Sequence, residues 1–116
     1  MSDNANKAIV VVMTAANGEE AARLAEMLVG AHLAACVQIL PTMESVYRWQ
    51  GRIERQSEIL LFAKTTREKF DDLEREVRAL HSYETPEIIA VPVVAGSAGY
   101  LEWLEQSVKN QRSSAA

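Results

Sequence analysis

Cysteine is all but missing from this sequence. Cys36 stands alone among 116 residues, which excludes an intrachain disulfide and any disulfide-stapled scaffold. Clustered positive charge is missing as well. The 12 Lys and Arg are outnumbered by 16 Asp and Glu, and no block of like charge occurs. Nucleic-acid binding by counterion release needs grouped cations, so nucleic acid is not an expected partner. No apolar run approaches the 18 residues of a membrane-crossing helix, so a membrane is not expected either. Other absences remove whole activities. No Cys-x-x-Cys occurs, as a copper-chaperone loop requires. No arginine stands in Ala15-Ala16-Asn17-Gly18, where an acylphosphatase would cradle phosphate after its first strand. The paired aromatics with basic company of an RNA-recognition sheet are missing too.

What remains is an ordinary globular composition, 48% hydrophobic and 24% charged with net charge −4. The length fits one domain that buries roughly two-thirds of its extended surface. Its expected bounds are 8–109, between polar, disordered tails at 1–7 and 110–116. The apolar stretch Ala8 to Ala16 has the look of a short export signal. Its β-branched residues and the preceding Asp3 point instead to a buried first strand, which places the protein in the cytoplasm.

Asn17-Gly18-Glu19-Glu20 predicts a helix start, with Asn17 as cap and two acids at the positive end of the dipole. Ala21, Leu24, Ala25 and Leu28 form one helical face, and Gly30 marks its end. Residues 34–49 predict one long strand, with Pro41 at an edge or bulge. Gln50-Gly51 predicts a tight turn, and 52–65 a returning strand, polar first and apolar through Ile59-Leu60-Leu61-Phe62. The hairpin tip, with Tyr47, Trp49 and Ile53, is too long for a small core to cover and needs another surface. Thr65-x-x-Glu68 predicts a capping box before a second helix with Phe70, Leu73, Val77 and Leu80 on its apolar face. A strand over 88–94, with Pro92 inside it, and a helix from Gly96-Ser97 with Leu101, Leu104 and Val108 complete the order. This β-α-β-β-α-β order predicts the ferredoxin-like α/β arrangement: one antiparallel sheet with helices on one face, plus a C-terminal helix.

Several motifs are specific when taken together. Leu33-Ala34-Ala35-Cys36-Val37, Tyr47-Arg48-Trp49-Gln50-Gly51-Arg52-Ile53, Lys64-Thr65, Tyr83-Glu84-Thr85-Pro86-Glu87 and Tyr100-Leu101-x-Trp103-Leu104 occur in order. From about residue 9 to 108 the chain resembles the CutA (divalent-cation tolerance) family. The resemblance implies a non-enzymatic homotrimer of ferredoxin-like subunits, similar in assembly to PII signalling proteins. It implies a part in tolerance of divalent metals, copper above all, with weak copper binding. The alternative is a PII-like regulator that takes a small metabolite or anion in the cleft between subunits.

In relatives that bind copper, the ligands are a cysteine at the end of strand one and a His-His pair. Here Met13 and Leu80-His81 stand at those places, so Met13 and His81 are the candidate metal ligands, suited at best to Cu(I). Read structurally, Met13 fills core and His81 caps a helix. Cys36 in an apolar strand reads as a small hydrophobe, and Tyr100 with Trp103 as packing. Lys64 ends a run of buried strand residues and needs a carboxylate or an open cleft. Glu87 is its candidate partner. Tyr83 and Trp49 are the candidate walls, Trp49 reaching over from a neighbouring subunit. Trp49, Lys64, Tyr83 and Glu87 thus form the candidate cleft site, whose structural alternative is an ion pair that holds the interface.

Overall fold

The structure, a computed structural model, describes residues 7–109. Of the tails predicted at 1–7 and 110–116, residues 1–6 and 110–116 lie outside the described residues, while Lys7 places its Nζ 3.6 Å from Glu105 Oε1. The elements are β1 Ala8–Ala15, α1 Gly18–Gly30, β2 Cys36–Ile39, β3 Met43–Trp49 and β4 Arg52–Thr66. A 3-10 turn Arg67–Lys69 leads into α2 Phe70–Leu80, followed by β5 Ile88–Pro92 and α3 Ala98–Ser107.

One antiparallel sheet runs in the order β2-β4-β1-β5, with β3 paired to the outer half of β4. The predicted ferredoxin-like α/β order is the observed one. Strand alternation then assigns the faces. Val11 and Met13 of β1 stand beside Ala63 and Leu61 of β4, and all four are fully buried. Against them pack Leu24 and Leu28 of α1 with Leu73 and Val77 of α2. Each such side chain contributes about 1.5–3 kcal/mol by leaving water.

The opposite face is only partly covered. The C-terminal helix α3 lies on it at one end, where Leu101, Leu104 and Val108 pack on Ala8 and Ala35. Helices therefore occupy both faces, not one as the pattern predicts. The rest of that face, Val10 and Val12 with Ile89 and Val91 across the β5 ladder, stays partly open to solvent.

The predicted 34–49 strand is two strands. Its ladder to β4 stops at Ile39 and resumes at Met43, with Pro41 in the gap because it has no amide to donate. The turn at Gln50-Gly51 is as predicted. Both residues have positive φ, 51° and 80°, the geometry of a two-residue hairpin whose twist matches its strands. The hairpin arm extends the molecule to 50 Å along its longest axis.

Two capping expectations fared differently. Asn17 caps α1 and accepts from the Glu20 amide at 2.9 Å. The Thr65–Glu68 capping box does not form. Thr65 is fully buried and donates its hydroxyl to Leu33 O at 2.7 Å, and α2 begins only after the 3-10 turn. The packing of β4 against the α1–β2 connection has taken the side chain that the box needed. Leu80, predicted on the apolar face of α2, is exposed in the last turn, where the helix leaves the sheet. Helix α1 closes on His32 rather than on glycine: His32 takes positive φ, and the amides of His32 and Leu33 bond Val29 O and Leu28 O, as in a Schellman motif. Pro92 ends β5, although the Val93 amide still bonds Ala8 O.

Candidate functional site

A cavity of about 590 Å³ opens between the base of the β3–β4 arm and the 82–87 loop. Thr14 forms its floor at the end of β1. Residues 45–47 and Trp49 of β3, with Gln56 and Glu58 of β4, make one wall. Tyr83, Glu84, Thr85 and Glu87 make the other.

The register explains the first wall. β3 and β4 pair with Ser45 opposite Gln56, Tyr47 opposite Glu54 and Trp49 opposite Arg52. Alternation then sends Ser45, Tyr47 and Trp49 to the same side as Gln56 and Glu58. A chain of hydrogen bonds ties this wall to the loop. Tyr47 Oη donates to Gln56 Oε1 at 2.7 Å, and Gln56 Nε2 donates to Tyr83 Oη at 3.0 Å. Tyr83 Oη donates in turn to Glu58 Oε2 at 2.9 Å. Burial pushes the Tyr83 phenol well above the ordinary tyrosine range, and the hydrogen bond to Glu58 and its charge push the same way. Tyr83 therefore stays a donor throughout the physiological range.

His81 anchors the loop from below. Its Nε2 is 2.7 Å from Thr14 O, and the Tyr83 amide donates to its Nδ1 at 3.0 Å. Both contacts suit the neutral ring with the proton on Nε2. The His81 and Tyr83 rings stack at 4.7 Å between centroids. Beside them Glu20 accepts from the Ala16 amide at 2.8 Å and from the Ser82 amide at 2.7 Å. Burial by itself raises the Glu20 carboxyl. The bonds from Ala16 and Ser82 outweigh it and leave the group below the usual carboxylate value.

Of the four predicted cleft residues, Trp49, Tyr83 and Glu87 line this cavity within a single chain. Lys64 does not. It lies six residues further along β4 than Glu58, about 20 Å at the rise of a strand. There it pairs with Val10 and Cys36 and sets its Nζ 5.8 Å from the centre of the Tyr100 ring. Within the chain the partner of Lys64 is thus an aromatic face at the α3 end of the sheet, not Glu87. The reason is register: the strand that carries Lys64 runs away from the 82–87 loop.

The surroundings of Met13 and His81, the two candidate metal ligands, are already filled. Met13 is fully buried on the helix-covered face, and both ring nitrogens of His81 already have main-chain partners. Among the described residues no three His, Cys, Asp or Glu side chains gather closely enough to hold a metal. The residues present do not fit a copper site there. Cys36 is half-buried with its Sγ 3.8 Å from Tyr100 Oη, and His32 meets Ser107 O at 3.2 Å, so that pair shares no site. Tyr100 and Trp103 pack on each other at 5.5 Å, both exposed.

The sequence reading missed Glu58, Gln56 and Thr14. A signal for Glu58 existed: it directly precedes the apolar run from Ile59, where a strand enters the core. Which wall it would face depended on a pairing that periodicity does not reveal.

Residues 9–107 match the family model of the CutA1 divalent ion tolerance protein. The chain is 45% identical over 98 residues to the divalent-cation tolerance protein CutA of Thermus thermophilus, covering 84% of this chain and 95% of that one. It is 46% identical over 102 residues to the chloroplastic protein CutA of Arabidopsis thaliana. That match covers 88% of this chain and 56% of the relative, so the chain spans little more than half of that protein's length. The crystal structure of CutA1 from Oryza sativa has a TM-score of 0.88 at 42% identity, covering 93% of this chain and 99% of the other. The structure of CutA from Archaeoglobus fulgidus, described as periplasmic, has a TM-score of 0.86 at 39% identity, covering 88% and 99%. Among the described residues no helix is long and apolar enough to cross a membrane. The chain belongs to the CutA1 divalent ion tolerance protein family.

Proposed function

We propose that this protein is a non-catalytic homotrimer of the cytoplasm that takes part in tolerance of divalent metal ions. The family supports the metal-tolerance role. The observation that carries the assembly is the apolar surface a lone chain leaves in water. Ile89 and Val91 are 54% and 47% exposed on the open sheet face, and Trp49 and Ile53 are 55% and 70% exposed on the arm. Surfaces of this kind are interaction sites in soluble proteins. Copper binds weakly, because His81 has no free lone pair and Met13 no opening to solvent. Native mass spectrometry should give a trimer, and Val91→Asp should dissociate it. A folded monomer at micromolar concentration would sink the proposal. Calorimetric titration with Cu²⁺ should give an affinity poorer than about micromolar.

A second reading, a PII-like regulator holding a small ligand between subunits, is favoured by the cavity. Its volume lies in the range of small-molecule sites. Trp49, Tyr83 and Glu87 would contact the ligand from one chain, and Lys64 would join only from another. A thermal-shift screen of metabolites tests it, and silence across a broad panel would remove it.

A further inference from the structure

We draw no further inference here: the strongest candidate, the cluster of Cys36, Lys64 and Tyr100 where α3 meets the open sheet face, is a lone half-buried thiol beside a cation and a phenol, on the face that the proposed trimer covers, and nothing in the structure points to a ligand for it.

Discussion

The Glu20 carboxylate and the Ser82 amide meet at 2.7 Å although 62 residues separate them. Glu20 is 3% exposed, and its other oxygen holds the Ala16 amide. One side chain thus joins the start of α1 to the loop that walls the cavity. Because its acid lies lowered in the folded state, Glu20 stabilises the protein fully above the ordinary carboxylate value, and that contribution fades as pH falls below it. Glu20→Gln should cost about 1–3 kcal/mol near neutral pH, since its one carbonyl oxygen can accept from only one of the two amides and its NH2 group faces the other. Urea melts of both proteins at pH 7, 5 and 3, at one protein concentration, should show the difference shrinking toward the acid end. An unchanged gap at pH 3 would contradict the assignment.

Tyr83→Phe should leave Glu58 buried without its donor and Gln56 without its acceptor, at a cost of about 1–3 kcal/mol. The folded-state phenol is raised, so its contribution is complete below tyrosine's ordinary value near 10 and is lost as pH climbs beyond it. Ultraviolet titration of the phenolates checks this: a step at the alkaline extreme in the parent should be missing from the variant.

Thr65 and Glu68 separate two accounts of the same motif. If the hydroxyl serves Leu33 O, Thr65→Val should cost about 1–2 kcal/mol by orphaning a buried carbonyl. Glu68→Ala should stay within about 0.5 kcal/mol, as for an ordinary surface site. A capping box would make both changes costly. Thermal melts of the two variants decide it.

The arm's turn is sensitive to backbone handedness. Gly51 has φ of +80°, and nothing lies within 4 Å of where a Cβ would stand. Gly51→Ala should therefore cost about 1 kcal/mol from conformation alone. Gln50→Asn, at φ of +51°, should be neutral or mildly stabilising, because asparagine tolerates this region. Melting temperatures of the pair read the effect, and equal destabilisation by both would refute it.

Much of the frame was legible in the residues. The β-branched run at β1, the spacing of Leu24 and Leu28, the Asn17 cap and the Gln50-Gly51 turn are local signals with periods of two or 3.6, and each was realised. Trp49, Tyr83 and Glu87, expected around a cleft between subunits with Trp49 coming from a neighbour, line one cavity within a single chain. The misreadings share one cause. Lys64 was matched to Glu87 by charge, yet the β1–β4 register carries it to Tyr100. Thr65 was matched to Glu68 by spacing, yet β4 packing turns it toward Leu33. Pro41 was expected at an edge or bulge inside one strand, and it stands in a gap between two edge strands.

By itself the sequence determined the order of elements apart from the split at Pro41, the apolar faces of β1 and α1, and the family to which the chain belongs. Those depend on short-range patterns and on motifs that stay together in the chain. The tertiary structure alone decided that Glu58 enters the core with one neutral partner, that Glu20 reaches Ser82, and that His81 spends both nitrogens on main-chain groups. These contacts join segments tens of residues apart. Strand order, register and helix packing set them, and a slip of one residue in the pairing of β4 would send Glu58 to the opposite face of the sheet.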